Sequence, residues 1–161
     1  MPWLIGWLAR EIPHATFVMI GRVAIPPQQL PSAPNLRWLG PRPYERLPEY
    51  GARFTAAIIP YRQNQQVHAA NPLKLREYLS MGLPIVSVST PEIDKFSHVV
   101  AIRTTPESYR DALIAALATP LRPEDVSARQ AVAREGTWGA RVDEILARLD
   151  GVLAGKGGGP R

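Results

Sequence analysis

One short stretch holds side chains whose types and spacing suit an anion. Residues 71–89 read NPLKLREYLSMGLPIVSVS. Asn71 is a good N-cap and Pro72 is favoured at the first helical position, so a helix is expected to open at this pair. The amides of Leu73 and Lys74 then lie at the positive end of the helix dipole, where an anion is stabilised. Lys74 adds a full charge in the same turn. Glu77 follows about one turn along, a few ångströms from the same point. A cation beside a phosphate, with a carboxylate set behind it, suits a nucleoside diphosphate whose ribose hydroxyls donate to the carboxylate. The competing reading is packing alone: a common helix start, a solvated Lys74, and Glu77 paired with Lys74 at i+3. Leu75, Tyr78 and Leu79 are expected in the core under either reading, with Gly82 as the helix stop.

Composition limits what else the chain can do. Its 161 residues suffice for one domain with a real core. There are no cysteines, which excludes disulfides, thiolate metal sites and cysteine nucleophiles. The histidines are His14, His68 and His98, too far apart in sequence for an expected zinc site, so no metal is expected. The net charge is +5, but the basic residues are scattered singly. That argues for a general bias toward anions rather than nucleic-acid binding. No segment approaches the ~20 apolar residues of a membrane span. MPWLIGWLAR lacks the positive start of a signal peptide, so the expected location is cytoplasmic.

The elements that must position the stretch can be read from apolar period. Residues 3–11 read as an amphipathic helix with Trp3, Leu4, Trp7 and Leu8 on one face. Trp3 and Trp7 are expected to pack; left exposed, they would form a sticky patch. Strands are expected at 15–21, 35–40, 55–61, 84–89 and 98–103. A short helix is expected at 44–53, broken near Pro48 or closed at Gly51. Residues 62–70 read as a polar, flexible loop, and STPEIDKF as a turn with one helical turn at most. Helices are expected at 106–119, 123–135 and 138–153, with 155–161 a disordered tail. Continuous apolar strands alternating with helices argue for an α/β fold: a Rossmann-like, doubly wound parallel sheet of about five strands. Such sheets bind ligands at the carboxyl ends of their strands, where Gly21, Gly40, Tyr61 and the 62–74 segment fall.

NPLKLREYLSMGLPIVSVSTPEI resembles the nucleotide-sugar signature of GT-B fold glycosyltransferases of the group 1 type. PNLRWLGPRPYERLPEYGARFTAAIIPYRQN, FVMIG and TWGARVDEILARL are similar to that family's flanking stretches, in the right order. The resemblance implies the donor-binding, carboxyl-terminal half of a two-domain retaining enzyme. Such an enzyme moves a sugar from a nucleotide diphosphate sugar (UDP- or GDP-linked) to an acceptor glycan, lipid or polysaccharide precursor. It implies that Glu77 binds the ribose, as the second glutamate of an E-x7-E pattern. The first glutamate of that pattern is replaced here by Ala69, and Asn71 and Lys74 are the available substitutes near the sugar. The family's diphosphate amides map onto Pro72 and Leu73; Pro72 has no N–H, so Leu73 and Lys74 take that role. The base-contacting segment maps onto Pro41, Arg42, Pro43 and Tyr44, where Tyr44 either stacks on a base or packs. Gly21 either admits the ligand backbone-close or serves a turn.

The family's amino-terminal acceptor domain and the first strand of the donor domain have no counterpart in this sequence. The resemblance therefore implies a donor domain over 1–154 truncated at its start. It also implies a partner acceptor domain, with room for peripheral membrane association through it, and no sugar transfer by the chain alone. Without the missing central strand the expected sheet order is 2-1-3-4-5 in this chain's numbering, the first strand pairing with the third. The alternative function is a non-catalytic nucleotide-binding or protein-interaction module.

Overall fold

The computed structural model describes residues 1–156. Helix α1 (Pro2–Glu11) starts with Pro2 in its first turn and buries Leu4, Ile5, Leu8 and Ala9. Strand β1 (Phe17–Ile20) follows, then β2 (Leu36–Gly40). A 3-10 turn, Tyr44–Arg46, leads into α2 (Leu47–Gly51). Then come β3 (Ala57–Ile59), α3 (Gln65–Ala69), α4 (Leu73–Ser80) and β4 (Ile85–Val88). A 3-10 turn at Ile93–Phe96 precedes β5 (Ala101–Arg103). Three helices close the chain: α5 (Pro106–Ala118), α6 (Pro123–Glu135) and α7 (Trp138–Lys156). The last runs past the expected end at 153, so residues 155–156 are helical; 157–161 of the expected tail lie outside the described residues.

Every strand pairing is parallel, as the apolar runs imply. The expected single sheet is not formed. The structure has a two-stranded sheet, β1-β2, and a three-stranded sheet, β3-β4-β5. The orders 2-1 and 3-4-5 are both present, but β1 and β3 are not paired. β3 offers little ladder to extend: it has three residues and ends at Pro60, which has no N–H to donate. Cohesion between the sheets comes from side chains instead. Leu4, Ile5, Leu8 and Ile12 of the α1 region bury against Phe17 and Leu36 of one sheet and Val86 and Val88 of the other. The Asn35 amide fixes the end of α1, donating to the carbonyls of Ala9 (2.9 Å), Ile12 (3.1 Å) and Ala15 (2.7 Å).

β4 is the central strand of its sheet and is buried at all four positions, the pattern of a strand covered on both faces. On one face sits the cluster just described, with Tyr109 and Leu113 of α5. A second cluster joins Leu75 and Leu79 of α4 to Ala57, Ile59, Ile85 and Ile93. Tyr109 of α5 crosses between strands. Its hydroxyl accepts from the Ile59 amide (3.1 Å) and donates to the Val86 carbonyl (2.6 Å), bridging β3 and β4. Burial pushes that phenol far above its ordinary range.

Candidate functional site

The 62–70 segment is more ordered than a flexible loop. Asn64 caps α3, its side-chain oxygen accepting from the Val67 amide at 2.8 Å. That short helix carries the chain from β3 to α4. Helix α4 does not open as expected. Its N-cap is Pro72, with φ −76° and ψ 108°, and no side-chain cap bond; Asn71 lies one residue outside, exposed. Pro72 itself is buried. The first helical residue is thus Leu73. The Leu75 amide turns back to the Pro72 carbonyl at 3.1 Å. The amides of Leu73 and Lys74 donate to no group among the described residues, so both are open at the helix start.

Three sides of α4 are fixed. Leu75 and Leu79 are in the core. The Arg76 guanidinium lies over the Phe96 ring at 5.6 Å and 4.0 Å from Glu92. At the far end α6 packs, with Arg129 and Gln130 donating to the carbonyls of Gly82 and Ser80. Gly82 is the helix stop: its φ is +70°, and a Cβ there would meet Val126 Cγ1 at 2.5 Å. The side left free carries Lys74 and Glu77, one turn apart. Lys74 is exposed and Glu77 half-buried. They form no ion pair with each other, so the i+3 pairing of the packing reading is not realised. Neither side chain has a hydrogen bond or ion pair to any described residue. The Glu77 charge is felt by two phenols: burial first, and that charge second, raise the pKa of Tyr61 and of Tyr78. Tyr61 lies just past the carboxyl end of β3.

The remaining expected residues lie on the other sheet. Gly21 ends β1 with φ +132°, and its amide donates to the Gly40 carbonyl at 3.0 Å. A Cβ at Gly21 would meet nothing within 4 Å, so backbone conformation rather than crowding calls for glycine. Arg42 bonds the Tyr50 hydroxyl at 3.1 Å and the Pro41 carbonyl, which ties it to α2. Tyr44 is 63% exposed, so of its two readings packing is not what it does here. Among the described residues no hydrogen bond links this group to α4.

Sequence reasoning missed one concave space. A cavity of about 560 Å³ lies at the carboxyl ends of β4 and β5. Its wall includes Trp3, His68, Ser89, Asp94, Arg103 and Thr104. Ser89 Oγ donates to Asp94 at 2.8 Å, and Gln63 joins the Ser89 carbonyl (2.9 Å) to the His68 ring (2.6 Å). None of the residues expected to bind ligand lines it. The signal was the paired hydroxyls immediately after each strand, Ser89-Thr90 and Thr104-Thr105. Trp3 is 57% exposed at this cavity, against the expectation that it packs. Trp7 does pack on the core, with the Arg110 guanidinium 5.9 Å over its ring. Among the described residues no three His, Asp or Glu side chains gather as a metal would require. Among the described residues, too, no helix is long and apolar enough to cross a membrane.

A model of the family described as glycosyl transferases group 1 matches residues 3–121. A protein of Bacillus subtilis (strain 168), whose name proposes it as the teichuronic acid biosynthesis glycosyltransferase TuaH, is 34% identical over 91 residues. The aligned stretch is 54% of this chain and 23% of that protein. No solved structure matches.

Proposed function

This chain belongs to the group 1 glycosyl transferases, and from that premise we propose that the start of α4 holds the diphosphate and ribose of a nucleotide-sugar donor. The observation that carries the reading is the unspent polarity of that corner. Two amides, one ammonium and one carboxylate stand at the carboxyl end of β3 without partners among the described residues. A parallel sheet places ligands at this end. The Leu73 and Lys74 amides and the Lys74 ammonium face the phosphates, which they meet without a metal ion. Glu77 accepts from the ribose hydroxyls. Asn71 and Pro72 set the turn that aims the helix. Tyr44, exposed, offers its ring to a uracil or guanine base, with Arg42 held beside it, and Gly21 lets the backbone come close.

In this reading residues 1–154 form the donor-binding part of a transferase, and an acceptor-binding domain completes the reaction centre. The isolated chain binds a nucleotide and does not transfer sugar. The name of the Bacillus relative, which points to a polysaccharide, favours a polysaccharide precursor as acceptor.

The test is a pair of variants read against two ligands by protein-observed NMR. Lys74→Ala should weaken a nucleoside diphosphate, by about 1–3 kcal/mol for a hydrogen bond to a charged group, and leave the nucleoside unchanged. Glu77→Ala should weaken both alike, since both carry ribose. Added salt should erode the lysine's share first. Equal losses on both ligands from both variants, or no loss from either, would leave α4 as a packing helix only.

A further inference from the structure

The cavity at the carboxyl ends of β4 and β5 joins one flat apolar side chain to charged groups that spend little of their bonding capacity within the chain. The flat group is Trp3, 57% exposed in the first turn of α1. A single exposed tryptophan is ordinary. This one stands in the wall of a concave space of about 560 Å³, within the usual size range of small-molecule pockets.

Asp94 and Arg103 share that wall. Asp94 is set by the end of β4: the Thr90 carbonyl accepts from its amide at 2.9 Å, and Thr90 Oγ1 accepts from the Ile93 amide at 3.2 Å. Ser89 Oγ donates to its Oδ2 at 2.8 Å, and Oδ1 has no hydrogen bond among the described residues. Arg103 ends β5. Its Nη1 donates to the Ile102 carbonyl at 2.7 Å, and most of the five donors of a guanidinium stay unused. Among the described residues neither charge is in an ion pair, with the other or with a third group. Gln63 donates to the Ser89 carbonyl at 2.9 Å and bonds the His68 ring at 2.6 Å, which ties α3 to the end of β4 and steadies that side of the wall.

We propose that this cavity holds a neutral pyranose ring of a saccharide, at a site separate from the start of α4. A pyranose has a face of C–H bonds and an edge of hydroxyls, each of them donor and acceptor. The C–H face lies on the Trp3 indole. Hydroxyls at the edge donate to Asp94 and accept from Arg103, charge-assisted bonds that one uncharged ligand makes to both. The two charges select the class. A phosphate or carboxylate would meet Asp94 and an amine would meet Arg103, whereas a polyol satisfies each. Leu73, Lys74 and Glu77 do not line the cavity, so the site draws on none of the groups assigned to the diphosphate and ribose.

The test uses the full chain labelled with 5-fluorotryptophan and contains no nucleotide in its first arm. The chain has four tryptophans, and Trp3→Phe assigns one of the four fluorine signals. The probes are methyl pyranosides of glucose, galactose, mannose and their N-acetylamino forms. At least one should move the Trp3 signal with a dissociation constant in the millimolar range, as for a ligand of about a dozen non-hydrogen atoms. Asp94→Asn and Arg103→Gln should each weaken that pyranoside about tenfold. Trp3→Ala, read by saturation transfer from protein to ligand, should abolish binding and leave the thermal melt unchanged, since the indole is mostly exposed. UDP added at saturation should not displace the pyranoside, whether or not UDP itself binds at α4. A Trp3 signal that none of the pyranosides moves, or that UDP alone moves, overturns the proposal. So does displacement of the pyranoside by UDP, or binding that survives Trp3→Ala or both charge substitutions.

Discussion

Helices α4 and α7 both repeat large aliphatic side chains at helical spacing, and their surroundings are opposite. In α4, Leu75 is 1% exposed and Leu79 fully buried, against β3, β4 and the turn at Ile93. In α7 every large aliphatic side chain is at least half exposed. The apolar period identifies a face that needs covering; it does not say what covers it. For α4 the cover is the sheet, and the consequence reaches the site. With its apolar side sealed and Arg76 held by Phe96 and Glu92, the helix has one orientation, and Lys74 and Glu77 occupy the side that remains. For α7 no such cover is found among the described residues.

The largest expected effect tests that contrast. Leu79→Ala removes a fully buried side chain from a packed cluster and should cost about 2–5 kcal/mol. The same truncation at Leu149 should change the stability of the monomer by less than about 0.5 kcal/mol, as for a surface site. Urea denaturation at low micromolar concentration measures both. Comparable losses at the two positions would mean that α7 packs on the body.

A smaller effect tests what ties the central sheet together. Tyr109→Phe keeps the ring in the core and deletes only the hydroxyl. The Ile59 amide and the Val86 carbonyl then lose a partner in a buried place. The expected loss is about 1–3 kcal/mol, the cost of leaving buried polar groups unmade. The sign of the pH dependence follows from the raised phenol pKa. The unfolded chain ionises Tyr109 near pH 10 and the folded chain does not. Stability from this group is therefore complete below pH 10 and falls as the pH rises above it. Tyr109→Phe should flatten the alkaline limb of a stability–pH curve. An unchanged limb would assign it to other groups.

Sequence was a good guide to the fold where local pattern and packing agree. The strand 17–20 is an uninterrupted apolar run, 85–88 is apolar but for Ser87, and the helix expected from 106 starts there, capped by Thr105. It was a poor guide where long-range geometry decides. Nothing local in FVMI or AII says whether those strands touch, and in the structure they do not pair. The helix start moved by one residue because Pro72 takes the extended N-cap conformation itself, which leaves Asn71 without a capping role. Lys74 and Glu77 were legible as a pair, since i and i+3 share a helix face. The cavity beside Trp3 was not, since its wall is drawn from α1, α3 and two strand ends far apart in sequence.

The smallest effect asks where Glu77 points. Its role at a ribose requires the carboxylate to stand at the carboxyl end of β3, beside Tyr61, rather than out in solvent. The Tyr61 phenol reports this. Burial is the first cause of its raised pKa and the Glu77 charge the second. Glu77→Gln removes the charge while keeping the shape, so the Tyr61 pKa should fall part of the way toward its ordinary value. Tyr78 should move in the same direction, since the same carboxylate acts on it. Ring-labelled tyrosine NMR across pH 9–12 follows both. Nucleoside binding sharpens the reading: if ribose hydroxyls donate to Glu77, the ligand should lower the Tyr61 pKa in the wild type and leave it alone in Glu77→Gln. A Tyr61 titration identical in the two proteins would put the carboxylate away from the strand end, and with it the ribose.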